Sequence, residues 1–443
     1  MAEVSLPRSA AGPTRLGRQR ARLREWAATT PGRLRLAMAA VVLAALVAGL
    51  VLAGVTAVHR DAVDAVTTGD EPLMVEADGL YASLADADAT AAATFLRGGI
   101  EPAELRARYL ADLRRASLQL TSLARRAQGS PKAAAAVAAV GAELPVYSGL
   151  METARANNRE GFPVGAAYLR QASDLMRGRI LPAAGRLHAV EAGRLGDHQR
   201  TGTATGGLAA ILAIGAAALA VLVGVQVFLV QRTNRVFNVP LVAATLMLVV
   251  ATAWTAIALV RSRDALARAQ RDGSDAVQVF SAARILWLRA QADESLTLVA
   301  RGGGDRYLAD YDIVLGALGP PGLLAEAEGL ARRSGTTAAF QDLTASLRGL
   351  RGEHRRVARL ATEGDFGNAV RVAVGRGSRE AALGDRVNRD FGAAIGAAQA
   401  RFERAADDAR GALGSLAVGI PLLLVLCAAL GVFGLQQRMN EYR

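Results

Sequence analysis

Four long apolar segments constrain the fold of this 443-residue chain more than any other feature of its sequence. The stretches without charged side chains are Leu36–Val58, Thr201–Gln231, Val236–Val260 and Gly411–Gln437. Each exceeds or matches the roughly 20 apolar residues that a helix needs to cross a bilayer core. The sequence therefore predicts four transmembrane helices, at 36–58, 206–230, 238–260 and 413–435.

The arginines that flank these segments predict the orientation of the chain. Residues 1–35 contain eight arginines and two glutamates, and the 231–237 connector and the 436–443 tail are also net basic. Short arginine-rich segments remain in the cytoplasm. We therefore expect a multi-pass plasma-membrane protein with both termini in the cytoplasm and with the segments 59–205 and 261–412 outside.

The two outside segments share the phrase RYLAD, at Arg108–Asp112 and at Arg306–Asp310. Each copy follows an Arg-Gly-Gly, and a Glu-Gly turn comes later, at Glu160 in the first segment and at Glu363 in the second. The turn lies 63 positions after Arg97 and 62 positions after Arg301. This conserved order of landmarks predicts that one unit has been duplicated within the chain.

Apolar residues at spacings of three and four predict that both outside segments are helical. In the first segment Leu105, Tyr109, Leu113 and Ala116 form such a stripe, in which Tyr109 anchors the helix to its core. Arg108 and Asp112 flank the stripe as a solvent-facing pair, with a ligand-binding role for the pair as the alternative. Glycine- and proline-containing turns divide each segment into four helices.

The predicted fold class is an all-α integral membrane protein. It has two duplicated antiparallel four-helix-bundle domains outside the membrane, each standing on two transmembrane helices.

The sequence shows no recognisable catalytic, cofactor or metal site, so we expect a protein that is not an enzyme and that needs no cofactor. The single cysteine, Cys427, and four scattered histidines form no metal-ligand spacing, and the basic residues do not cluster as a nucleic-acid surface would require. The spans contain no ionisable residue, which argues against a transport path. These exclusions favour a non-enzymatic signal transducer. The alternatives are a sensor that binds small ligands directly and a structural or accessory scaffold of the cell envelope.

Two sets of residues are predicted to bind partners. The outside set lies in turns, where binding residues often reside on a rigid scaffold, although plain turns are the alternative. Its members are Gly98, Gly99, Gly161, Phe162, Gly303, Asp305, Asp365 and Phe366. The inside set lies in the 1–35 arm, where a basic helix could rest on anionic membrane lipid. Its members are Arg15, Arg18, Arg20, Arg22 and Arg24.

The layout of the chain resembles two known groups of proteins. The helical outside segments resemble the sensor modules of bacterial chemoreceptors. The whole arrangement, from the basic N-terminus to the short tail QQRMNEYR, is more similar to an actinobacterial family of four-span membrane proteins. That family operates between an extracytoplasmic glutamine-binding lipoprotein and the cytoplasmic serine/threonine protein kinase G.

The resemblance to this family implies partners and a signal. The partners are a solute-binding lipoprotein outside and a serine/threonine kinase inside, and a homodimer is left open. The signal is the availability of aspartate, glutamate or glutamine. The similarity rests on architecture, so it assigns no individual residue to a function.

Overall fold

The computed structural model describes residues 30–97, 101–203, 205–233, 238–301, 303–319, 321–375 and 377–440, and every regular element within these ranges is helical. The all-α prediction is therefore confirmed. In chain order the α-helices are α1 (Thr30–Asp64), α2 (Glu71–Arg97), α3 (Ala103–Arg126), α4 (Pro131–Arg159), α5 (Val164–Leu175), α6 (Leu181–Thr203), α7 (Gly206–Thr233), α8 (Val239–Arg268), α9 (Asp275–Ala300), α10 (Asp305–Leu318), α11 (Leu323–Arg333), α12 (Thr337–Thr362), α13 (Phe366–Val374), α14 (Arg379–Gly414) and α15 (Leu416–Asn440).

The helices form two compact units. The first unit comprises the described residues of 1–60, 204–262 and 411–443, and the second comprises those of 61–203 and 263–410. Three π-helical turns join consecutive α-helices without ending the helical conformation. They are Ala65–Asp70 between α1 and α2, Met176–Ile180 between α5 and α6, and Ala269–Ser274 between α8 and α9.

The first unit contains the four predicted transmembrane segments, nearly all of whose residues belong to α1, α7, α8 and α15. Small residues allow these helices to approach closely, as is common between helices in membranes. A Cβ atom added to Gly215 would lie 2.5 Å from the Thr252 methyl group. The polar Gln226 side chain is satisfied within the unit, because its amide donates to Thr245 Oγ1 at 2.7 Å.

Among the described residues, five helices are long and apolar enough to cross a membrane. Four of them include the predicted spans, within Gly32–Arg97, Gly206–Gln231, Val239–Ala300 and Phe366–Gln437. The fifth, Pro131–Arg159, was not predicted from the sequence. It corresponds to α4 of the second unit, where Tyr147 is fully buried and Met151 is 1% exposed.

The second unit corrects the prediction of two separate four-helix bundles. Both outside segments contribute to one compact body, with α2 of the first segment packed directly against α9 of the second. The physical reason is visible in α2, where all ten residues from Ser83 to Ala92 are buried. A helix in an isolated bundle buries one stripe, whereas a helix buried all round needs neighbours on every side. The second segment supplies the missing neighbours.

The turns of the second unit agree with the glycine and proline signals of the sequence. Ser130 caps α4 by accepting a hydrogen bond from the Ala133 amide at 3.3 Å, and Gly161 follows this helix with a φ of 77°. One further interruption, between α13 and α14, was not predicted. The π-helical turns that begin at Ala65 and Ala269 lie 204 positions apart, as do Arg97 and Arg301.

Candidate functional site

Buried charge is concentrated on α2. Glu71, Asp78, Asp86 and Asp88 are 6%, 7%, 6% and 2% exposed, respectively. The sequence analysis assigned no role to them, although Asp86 and Asp88 interrupt a run of small apolar residues in which a charge needs a buried partner. That interruption is the signal from which the site could have been found.

Arg177 supplies a partner for one of these aspartates and joins the two segments. It lies in the π-helical turn Met176–Ile180, and its guanidinium forms ion pairs with Asp293 of α9 and, at 3.9 Å, with Asp88 of α2. Asp88 Oδ1 also accepts hydrogen bonds from Ser173 Oγ at 2.9 Å and from Tyr147 Oη at 3.4 Å. Burial raises the pKa of Asp88 and of Asp293, and the positive charge of Arg177 opposes both shifts.

A second ion pair between the segments involves Asp86. Arg284 of α9 donates to Asp86 Oδ2 at 2.6 Å. Burial raises the pKa of Asp86, and the charge of Arg284 is the largest opposing influence. We call Asp86, Asp88, Arg177, Arg284 and Asp293 the charged seam. It lies along the contact between α2 and α9, so a displacement of either helix would alter these pairs.

The arginines of the two RYLAD phrases each reach across to the other segment. Arg108 of the first segment donates to Asp385 of the second at 3.0 Å. Arg306 of the second segment donates to Asp174 of the first at 3.2 Å. Each of these arginines therefore forms a charged contact between the two segments.

The prediction that Arg108 and Asp112 form a solvent-facing pair is wrong. Asp112 is 1% exposed and pairs with Arg115 instead of with Arg108. The predicted anchoring of the helix by Tyr109 is confirmed, because that side chain is 1% exposed and the Arg155 guanidinium lies 4.0 Å from its ring centre. The periodicity identified the buried stripe, but it could not reveal a second buried face.

A separate buried cluster lies within the second segment. The His354 ring stacks on Tyr311 at 3.6 Å between ring centres, and its Nδ1 lies 2.6 Å from Glu294 Oε1. Burial lowers the pKa of His354 to about 4. Burial together with the charge of Glu294 raises the pKa of Glu380, so that this carboxyl group holds its proton at neutral pH.

The described part of the second unit contains at least three cavities. The acidic cavity, of about 460 Å³, is lined by α2, α3, α9 and α14 and includes Glu71, Asp78 and Glu403. The aromatic cavity, of about 300 Å³, is lined by α9 to α12 and includes Trp287 and Phe340. A smaller cavity of about 100 Å³ adjoins Asp86 and Glu380.

The described members of the predicted outside set lie at helix ends. Phe162 is 52% exposed, and Gly303 and Asp305 are also exposed. Asp365 caps α13 by accepting a hydrogen bond from the Asn368 backbone amide at 3.2 Å. Hydrogen bonds from the Asn368 side chain and from this backbone amide lower the pKa of Asp365. Phe366, the first residue of α13, is half-buried. Neither these residues nor Gly161 line any of the three cavities.

Contacts within the second unit bring several of these helix ends towards one another. Asn158, in the last turn of α4, donates to the Phe95 carbonyl near the end of α2 at 3.2 Å. Leu298 near the end of α9 packs with Val357 and Ala369, and Leu96 of α2 packs against this cluster. The ends of α2, α4, α9 and α12 therefore meet on one side of the unit.

The remaining predicted site residues lie outside the described residues. They are Gly98, Gly99, Arg15, Arg18, Arg20, Arg22 and Arg24. Within the described ranges, no group of three His, Cys, Asp or Glu side chains is arranged to hold a metal ion.

Comparison with known proteins identifies one similarity. Residues 62–200 match the model of an actinobacterial sensor domain, which covers the first outside segment and about a third of the chain. No curated protein and no solved structure matches the chain significantly. The match indicates a sensing or signalling role, and the long apolar helices indicate a membrane protein.

Proposed function

We propose that this chain is a non-enzymatic transmembrane signal transducer. The second unit receives an extracytoplasmic signal, and helix movement passes it to a separate cytoplasmic protein. Both termini lie in the cytoplasm in this proposal, as the placement of arginines in the sequence favours.

One observation carries the proposal. The helical conformation continues from Gly32 to Arg97 and from Val239 to Ala300, so two apolar segments run without a break into α2 and α9. These are the two helices that the charged seam joins. A change in how α2 packs against α9 would therefore shift or rotate helices that enter the membrane, as packed elements with discrete arrangements do.

The partners in this proposal come from the resemblance in architecture. Outside the membrane, a solute-binding lipoprotein signals the availability of aspartate, glutamate or glutamine to this chain. Inside, a serine/threonine kinase responds. The outside turns at Gly161–Phe162, Gly303–Asp305 and Asp365–Phe366 are the proposed docking residues for the lipoprotein. The convergence of the neighbouring helix ends on one side of the unit supports this assignment.

The proposed output is the basic arm. Replacement of Arg15, Arg18, Arg20, Arg22 and Arg24 by glutamine should uncouple the kinase from the amino-acid signal, while Arg33 and Arg35 preserve insertion. A normal response from a correctly inserted variant would exclude the arm as the output.

A break in helix continuity tests the relay itself. A four-glycine insertion between Arg60 and Asp61 should abolish the response of kinase phosphorylation to amino acids, because glycine interrupts a helix. The same insertion between Gly129 and Ser130, in the turn before α4, is the matched control and should leave the response intact. A full response from the first variant would exclude transmission through α1 and α2.

Direct ligand binding is a second candidate, which the cavities of the second unit support. Calorimetry with the purified full chain separates the two cases. Binding of an amino acid without the lipoprotein would favour the direct sensor.

A further inference from the structure

The acidic cavity runs along one face of α2. Glu71, Val75, Asp78 and Ala82 line it at helical spacing, and Gln399 and Glu403 of α14 are also part of its lining. Glu71 and Asp78 are seven residues apart, which corresponds to about 10 Å along a helix axis. The cavity therefore presents buried carboxylates at two positions along an elongated space.

The carboxylates of this cavity are not neutralised by its arginines. Four acidic residues line it, against Arg126 and Arg284, and Arg284 is engaged with Asp86 of the charged seam. Glu71 is 6% exposed and forms no ion pair with any described residue. Burial raises the pKa of Glu71, and the negative charge of Glu403 adds to that shift.

Asp78 provides an independent indication that the cavity can take a ligand. Its side chain is 8% exposed, and its Oδ1 lies 2.7 Å from His188 Nδ1. Its Oδ2 is buried and accepts no hydrogen bond from any residue that the structure describes. A buried carboxylate oxygen without a donor is costly, and a donor supplied by a ligand would remove that cost.

The chemistry of the cavity selects an organic cation. The described acidic residues are not grouped closely enough to hold a metal ion. The walls of the cavity also include the apolar side chains Val75, Val277 and Ile395. Methylene groups pack on such walls, while ammonium groups donate to carboxylates at either end.

We propose that the acidic cavity binds a linear polyamine, with one ammonium group between Glu71 and Glu403 and another donating to Asp78. The bound ligand links α2 to α14, and it contacts α9 through Ser281. Binding does not depend on the lipoprotein–kinase relay. Only its effect on the cytoplasmic output rests on the proposed function.

Calorimetry with the full chain in phosphatidylcholine nanodiscs, at pH 8 with spermidine, tests the binding. We expect a single saturable site, weaker binding of ethylamine and no binding of glutamate at this site. The E71Q/E403Q double variant should lose about tenfold or more in affinity, because two charge-assisted hydrogen bonds are weakened. The D78N variant should lose affinity at the other end of the ligand.

The D342N/E363Q double variant removes the same charge from exposed positions outside the cavity and should bind like the parent. Cooperative thermal unfolding shows that each variant is folded. If the double variant does not fold, the affinity of the E71Q single variant is measured in its place. Absence of binding to the parent at millimolar spermidine would overturn the proposal. So would equal losses in the cavity and control variants, which would indicate general charge attraction. Neither result would affect the kinase relay, which is measured separately.

Discussion

At the scale of single residues, Glu71 makes the stability of the second unit depend on pH. Burial and the charge of Glu403 raise its pKa from 4.5 to about 7. Its protonated form is favoured in the folded state, so this contribution is fully present below about pH 4.5 and is lost as the pH rises through 7. The charged side chains that line the same cavity are Glu76, Asp78, Arg126, Arg284 and Glu403.

The E71Q variant should therefore be more stable than the parent at pH 8, by up to about 3 kcal/mol, with little difference at pH 4 to 5. Thermal unfolding at both pH values measures the effect. E76Q, on the same helix, is the control. A gain for E71Q that is the same at both pH values would contradict the raised pKa.

Arg177 should be the most sensitive arginine of the charged seam. R177M leaves the buried Asp88 and Asp293 without their shared cation, which should cost about 3 kcal/mol or more. The loss should be larger at pH 8 than at pH 5, because both aspartates must remain ionised at the higher pH. Chemical denaturation at the two pH values measures it.

Arg179 offers a matched control two residues away in the same π-helical turn. Its side chain is 70% exposed and pairs with Glu143 at 2.9 Å, so R179M should change stability by less than about 1 kcal/mol. Similar losses from R177M and R179M would show that the seam does not stabilise the contact between the segments.

At the scale of elements, the π-helical turns Ala65–Asp70 and Ala269–Ser274 differ in their surroundings. A Cβ added to Gly273 would lie 2.6 Å from the Phe402 Cβ and 2.8 Å from its Cα, whereas a Cβ added to Gly69 meets nothing within 4 Å. G273A should therefore destabilise the second unit by about 1–3 kcal/mol through overpacking. G69A should be neutral or stabilising by up to about 1 kcal/mol, since alanine favours helix.

Thermal unfolding of the two variants measures this difference. The comparison is well matched, because each glycine is the fifth residue of its π-helical turn. Equal effects of the two substitutions would mean that the small size of Gly273 is not what allows α14 to pack closely against this turn.

At the scale of the whole molecule, the second unit should not divide into two independent domains. The segment 61–203 alone would expose the face of α2 that α9 covers, including Asp86 and Leu96. We expect it to unfold without cooperativity or to associate, and to form a stable one-to-one complex when co-expressed with 263–410. Light scattering and thermal unfolding measure this. A stable, monomeric 61–203 would favour two separate bundles.

Topology is also tested on the whole molecule. In a C427A background, a cysteine at Gly129 should react with a membrane-impermeant reagent in intact cells, because this exposed turn belongs to a segment predicted to lie outside. Labelling only after permeabilisation would reverse the proposed orientation.

The sequence by itself determined the helical class, the apolar segments and most helix boundaries. These properties are local, because they depend on runs of apolar residues, on spacings of three and four, and on turn residues such as Gly161 and Ser130. Tyr109 was predicted as a buried anchor for the same reason. The partner-binding roles given to Asp305, Asp365 and the arm arginines remain predictions.

Only the tertiary structure decided that the two outside segments form one unit with a charged seam and cavities inside it. A sequence pattern shows that a face is apolar but does not show what covers it, so Asp86 and Asp88 could not be paired with Arg284 and Arg177 in advance. Those partners lie 198 and 89 positions away along the chain. Their pairing depends on how α2 packs against its neighbours, which is a property of the assembled core and not of any local stretch.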